Sequence, residues 1–216
     1  MADDRSEVVR RGYDRIAADY LAARVAGGDI DALDDLLARL PPGARMLDAG
    51  SGAGVPVTQR IIDGGMSACA LDFSNAQLRL ARRHVPRAAL VQADLVALPF
   101  ASGSFDAVVS FYAVIHVDRA LHAHVFGEVA RVLRPGGHAL LCLGSRDVPA
   151  DDDPESWLGV PMFWSHFDRE TNLRLVGEAG LAVLAASHVA DPMDHGGHTF
   201  VLARRPPVGT NRDLVP

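Results

Sequence analysis

Apolar residues recur along this chain with two different periods. From Ser6 to Val25 the positions Val9, Tyr13, Ile16, Ala17 and Tyr20 are spaced three or four apart, which predicts an amphipathic helix broken by Gly27-Gly28. Leu33, Leu36, Leu37 and Leu40 predict a second helix over Asp31 to Leu40, stopped by Pro41-Pro42-Gly43. Short apolar runs then alternate with helical stretches. Strands are expected at Arg45–Ala49, Ser67–Leu71, Ala88–Gln92, Phe105–Phe111 and His138–Leu143. Helices are expected at Val55–Asp63, Ser74–His84 and Arg119–Leu133, the last ended by Arg134-Pro135-Gly136-Gly137. Strands that are apolar throughout and alternate with helices imply a parallel sheet covered on both faces.

The pattern changes after Leu143. Ser145 to His166 reads as irregular, rich in Pro and Asp, with Trp157, Phe163 and Trp164. Asp168 to Ala179 reads as a helix with Asp168 as N-cap and Gly180 as stop. Leu181–Val189 and His198–Arg204 read as strands joined by the turn-rich ADPMDHGG, so they can pair as a hairpin. The expected division is a helical lid over residues 1–40, a main domain over 41–205 with an insert at 145–166, and a flexible tail at 206–216.

Composition narrows the function classes. No apolar run approaches the ~20 residues of a membrane helix. MADDRSEVVRRG has no apolar core of a secretory signal, so the expected location is the cytoplasm. The net charge of −6 and the lack of a basic stripe argue against nucleic acid as partner. All 21 basic residues are Arg, which excludes a catalytic lysine or a Schiff base. Cys69 and Cys142 both lie in strand-like runs and read as buried thiols without a disulfide framework.

The chemistry begins at LDAGSGAG, residues 47–54. A glycine-rich turn between strand and helix lets a ligand approach the backbone at a helix N-terminus. The third glycine of a dinucleotide G-x-G-x-x-G would fall on Val55, and no Gly-Lys-Ser/Thr follows, so neither that fingerprint nor a Walker A loop is present. Asp48 inside the turn would repel a pyrophosphate but suits a cationic group such as a methionine ammonium. Asp72 ends the second strand, where an acid accepts from ribose hydroxyls. Asp94 follows the third, where it can accept from an adenine amino group.

Together, LDAGSGAG, ALDFS, ADLVALPF, FDAVVSFYAVIHV and RVLRPGGHALL resemble the class I S-adenosylmethionine methyltransferases, in particular the small-molecule members of the type 11 group. The resemblance runs from about Tyr13 to Arg204. It implies a Rossmann-like α/β fold with a seven-stranded sheet in the order 3-2-1-4-5-7-6, the last strand antiparallel. It implies S-adenosylmethionine as methyl donor and S-adenosylhomocysteine as product. Gly50 and Gly52 would face the methionine moiety, Asp72 the ribose, Asp94 and Leu95 the adenine; Asp48 and Phe73 would also bind the cofactor, and Ser110 would lie close by. Y-D-x-I-A-x-x-Y, residues 13–20, is similar to a segment that folds over the cofactor in such proteins, with Tyr13 and Tyr20 as contacts.

For the acceptor the expected partner is a small molecule. The resemblance places Tyr112, His116 and Val117 on the acceptor side, and His116 is either a base, an acceptor contact or a structural histidine. The 145–166 insert would form the acceptor wall with Trp157, Phe163, Trp164 and His166, which suit a planar or apolar substrate. His195 and His198 with Asp191 and Asp194 raise the question of a metal, but they fall in a tight turn and no metal is expected. His122 and His124 are expected on the surface, and Asp151-Asp152-Asp153 as a solvated run. Either a monomer or a homodimer is expected.

Overall fold

A computed structural model describes residues 5–25, 31–191 and 193–207. The elements follow in the order α1 (Arg5–Val25), α2 (Asp31–Leu37), β1 (Arg45–Ala49), α3 (Val57–Asp63), β2 (Ser67–Asp72), α4 (Asn75–His84), β3 (Ala89–Gln92), β4 (Phe105–Ser110), α5 (His122–Val132), β5 (Leu133–Gly144), β6 (Val148–Trp157), β7 (Val160–His166), α6 (Arg169–Glu178), β8 (Ala182–Asp191) and β9 (Asp194–Arg204).

The main sheet has seven strands in the order β3-β2-β1-β4-β5-β9-β8. Strands β1 to β5 pair in parallel, and β9 runs antiparallel to both β5 and β8. Counted without the insert, this is the expected 3-2-1-4-5-7-6 arrangement. Along the middle of the sheet, side chains alternate between two cores. Met46, Ala107, Val109, Leu140 and Cys142 face a core shared with α2 and α3. Leu47, Val108, Leu141 and Leu143 face a second core built with Phe126, Val129 and Val132 of α5 and Val176 of α6. Successive strand residues point to opposite faces, so a sheet buried on both sides needs apolar residues at every position.

Several boundaries differ from the pattern reading. The 145–166 insert is a β-hairpin, β6 against β7, rather than irregular chain. Its apolar residues Val160, Met162 and Phe163 pack under Val9, Tyr13 and Ile16 of α1, and that tertiary contact orders the segment. Gly12 makes the approach possible, because a Cβ there would lie 2.9 Å from the Pro161 carbonyl. The helix expected from Arg119 begins as a 3-10 turn, and β5 starts at Leu133, before the Pro135-Gly136-Gly137 stop. The expected two-helix lid divides: α2 buries Leu33 and Leu36 in the main core, and among the described residues of 1–40 it is α1 that lines the cavity at the strand ends. Of the tail, residues 208–216 lie outside the described residues. Among the described residues no helix is long and apolar enough to cross a membrane. Cys142 is buried and Cys69 half-buried, both as free thiols.

Candidate active site

The carboxyl ends of β1, β2 and β4 meet under α1 and enclose a cavity of about 670 Å³. Gly50, at φ +83°, turns the chain out of β1, and a Cβ there would collide with Ala113. The Gly50 and Ser51 amides both donate to the Leu71 carbonyl, which ties the turn to β2. Asp72 accepts from the amides of Gly52 and Ser74, at 2.8 Å each, so its carboxylate is fixed at the cavity wall. Burial raises its pKa to about 6, against the pull of those two amides. Asp94 accepts from the Val96 amide and from the Ser6 hydroxyl of α1.

Most of the sequence-predicted cofactor residues come together here. Gly50, Gly52, Asp72 and Phe73 line one part of the wall, and Asp94 and Leu95 another. Tyr13, Tyr20, Tyr112 and His116 close it beneath α1 and the β4 loop. Asp48 lines a small adjoining space of about 60 Å³ with Gly50, Ser51 and Gly52. Its carboxylate accepts from Thr58 Oγ1 at 2.5 Å, and burial raises its pKa to about 7. Ser110 is the exception. Its hydroxyl donates to the Ala49 carbonyl at 2.8 Å, clamping β4 to β1, and it does not line the cavity.

The donor set fits an adenosyl and amino-acid ligand. The Gln77 side-chain amide is buried on the cavity wall without a hydrogen-bond partner, and Ser51 Oγ in the adjoining space also has none. Buried polar groups ordinarily find partners, so these two mark places for ligand atoms. Asp48 provides an acceptor for an ammonium and Asp72 an acceptor for paired hydroxyls.

Helix α1 is fastened over this cavity along its length. Arg5 pairs with Asp118 and Ser6 bonds Asp94. Asp14 accepts from the Ala76 amide and the Ser74 hydroxyl, capping α4 from outside. At the far end Arg24 makes two hydrogen bonds to Asp191 of β8, at 3.1 and 3.0 Å, with both side chains buried. The Arg24 guanidinium also lies 3.6 Å over the Tyr112 ring and donates to the Tyr20 hydroxyl. Tyr112 itself sits at φ +56°, a conformation costly for a residue with a Cβ.

A second chamber of about 210 Å³ lies behind Tyr13, Tyr20, Tyr112 and His116. The insert strands contribute Trp157, Trp164 and His166 to it. His116 is buried, and its Nδ1 lies 2.8 Å from the Phe163 carbonyl, so Nδ1 carries the proton. Burial lowers its pKa to about 4, so the ring is neutral and Nε2 is an acceptor, filled by the Tyr13 hydroxyl at 2.9 Å. A histidine so committed orients Tyr13; it does not stand ready as a free base. His166 is also buried, with Nδ1 donating to the Arg146 carbonyl.

One expectation about histidines changes. His122 is buried, with Nε2 bonded to the Val117 carbonyl and its pKa lowered to about 4 by burial; only His124 is exposed. His198 is buried near Asp191, while the side chains of Asp194 and His195 lie outside the described residues. Among the described residues no His, Cys, Asp and Glu cluster could hold a metal. Asp151 is exposed as expected. The sequence reading missed Arg24, Asp14 and Gln77, and considered Asp191 only as a possible metal ligand. Arg24 and Asp14 fall on the polar side of a helical pattern, and nothing local distinguishes them from solvated charges.

The sheet order is that of solved S-adenosylmethionine-dependent methyltransferases, with which the chain shares its fold. Residues 47–141 match the family model of a methyltransferase domain, and solved structures of the same fold are named for S-adenosylmethionine dependence or bound S-adenosylhomocysteine. The chain is 38% identical over 96 residues to a demethylmenaquinone methyltransferase of Renibacterium salmoninarum, covering 44% of this chain and 39% of that protein. It is 42% identical over 124 residues to a malonyl-[acyl-carrier protein] O-methyltransferase of Enterobacter lignolyticus, covering 56% and 47%. The chain thus spans less than half the length of these relatives. Its fold is similar to that of the 1,6-didemethyltoxoflavin-N1-methyltransferase of Burkholderia thailandensis, at TM-score 0.64 and 21% identity, covering 92% of this chain and 91% of that one.

Proposed function

We propose that this protein transfers a methyl group from S-adenosylmethionine to a small-molecule acceptor held in the 210 Å³ chamber. The observation that carries the reading is the shared wall: Tyr13, Tyr20, Tyr112 and His116 line both the cofactor cavity and the chamber. A donor in one space and an acceptor in the other would meet at these four residues. Relatives named for demethylmenaquinone methylation and a fold neighbour named for toxoflavin N1-methylation support the small-molecule class.

When bound, the cofactor supplies an electrophilic methyl on a sulfonium. The protein's part is then placement. Asp48 holds the ammonium, Asp72 the ribose, and Asp94 with Leu95 the adenine. Tyr13, its hydroxyl donating a hydrogen bond to His116, keeps its oxygen lone pairs away from the imidazole and toward the reacting groups. Fixing donor and acceptor in line can supply on the order of 7–11 kcal/mol of the barrier. Helix α1 acts as the lid that excludes water.

Calorimetry with S-adenosylmethionine and S-adenosylhomocysteine, followed by transfer of labelled methyl into a cell extract, tests this. Binding of both and label in the small-molecule fraction are expected. No binding, or label confined to protein or RNA, overturns the reading.

A further inference from the structure

Five aromatic rings close a circuit around the second chamber. Tyr13 and Tyr20 have centroids 5.0 Å apart, Tyr20 and Trp157 6.4 Å, Trp157 and Trp164 5.4 Å, Trp164 and His116 5.5 Å, and His116 and Tyr13 5.4 Å. All five line the chamber. Tyr13, Tyr20 and His116 also line the cofactor cavity, so the circuit begins where the methyl would arrive.

Ring faces carry partial negative charge and attract a cation brought within about 6 Å, Trp most strongly. The formal charges on the same wall balance, Arg24 and Arg146 against Asp151 and Asp191, and Arg24 is already bound to Asp191. His116 is neutral and adds no repulsion. It also has no free lone pair for a proton, since Nε2 accepts from Tyr13 and Nδ1 donates to Phe163. An alcohol or phenol acceptor would have to lose a proton around the time of transfer. A neutral ring nitrogen need not.

We propose that the chamber is an aromatic cage for a small planar nitrogen heterocycle, neutral when it binds and cationic once methylated. This rests on the methyltransferase reading above. The nitrogen lone pair forms the new N–C bond, the S–C bonding pair returns to sulfur, and the positive charge passes from sulfonium to ring nitrogen. The sulfonium becomes a neutral thioether and no proton moves. Because the cage interacts more strongly with the charged form than with the bound substrate, it lowers the barrier rather than only tightening binding.

The test compares N-methylpyridinium with toluene, its neutral counterpart of the same shape, by calorimetry on the full chain saturated with S-adenosylhomocysteine. N-methylpyridinium is expected to bind at least about tenfold more tightly, and Trp157→Leu and Trp164→Leu to reduce that ratio severalfold while S-adenosylhomocysteine affinity and melting temperature hold. Equal or weaker binding of the cation, no binding of either probe, or a ratio unchanged in both variants overturns the cage. Failure of S-adenosylhomocysteine itself to bind would instead overturn the cofactor reading, and this proposal with it.

Discussion

The Tyr13 hydroxyl donates to Nε2 of His116 at 2.9 Å across 103 residues of sequence, and the Phe163 carbonyl fixes the tautomer that makes this possible. The bond joins the covering helix to the loop after β4. Of the three roles open to His116, this geometry favours the orienting one. His116 and His122, both held near 4 by burial, are expected to stay neutral from pH 8 down to pH 5. Their ring signals in an NMR titration should not move over that range. A midpoint for His116 above 6 would return it to the role of base.

Substitutions at this pair should not add. Tyr13→Phe removes the donor and His116→Ala removes the acceptor. A double-mutant cycle by urea unfolding should give a coupling of about 1 kcal/mol. Additive effects would mean that the two rings do not share the bond.

Arg24 and Asp191 form a buried ion pair that fastens the end of α1 to β8. Arg24→Met alone leaves the Asp191 carboxylate buried without its cation and is expected to cost about 3–5 kcal/mol. The double variant Arg24→Met with Asp191→Leu should recover most of that loss, since a well-packed apolar pair needs no desolvation. Thermal unfolding of the three variants decides the matter, and a double variant less stable than either single one would contradict it.

Cofactor affinity should depend on pH through the strand-end acids. Burial raises Asp48 to about 7 and Asp72 to about 6, so each is partly protonated near neutrality. An ammonium and a pair of hydroxyls both bind the ionised carboxylates, so binding favours proton loss and strengthens as pH rises. For Asp48 alone the gain from pH 6 to pH 8 is about tenfold. Asp48→Asn should flatten that part of the profile. For stability the sign is opposite. A carboxyl whose pKa is raised by folding destabilises the native state as pH rises above its unfolded value, so Asp48→Asn should stabilise the ligand-free protein at pH 8 relative to pH 5. Asp72→Ala removes the ribose acceptor and the partner of Gly52 and Ser74, and should weaken S-adenosylhomocysteine binding about a hundredfold.

Asp14 caps α4 from the covering helix. Asp14→Ala should cost about 1 kcal/mol through the lost cap and loosen α1. Hydrogen exchange over residues 5–25 should speed up while the main sheet is unchanged. Equal protection in both proteins would show that the cap does not hold the helix.

The sequence alone determined the sheet and the donor side of the site. The central stretches of the strands, such as Ala107–Val109 and Ala139–Leu143, are apolar at successive positions, which a sheet covered on both faces requires. The glycine turn and the acids Asp48, Asp72 and Asp94 sit at strand ends, where chain order itself brings them to one edge. Tertiary structure decided the rest. The 145–166 insert has no clean alternation, and it becomes a hairpin because α1 covers its apolar face. Arg24 and Asp14 look like solvated helix charges until β8 and α4 arrive beside them. His116 could be a base, an acceptor contact or a structural histidine as far as its residue type goes. Its tautomer and charge were set by a carbonyl 47 residues downstream and a phenol 103 residues upstream, contacts that no local pattern records.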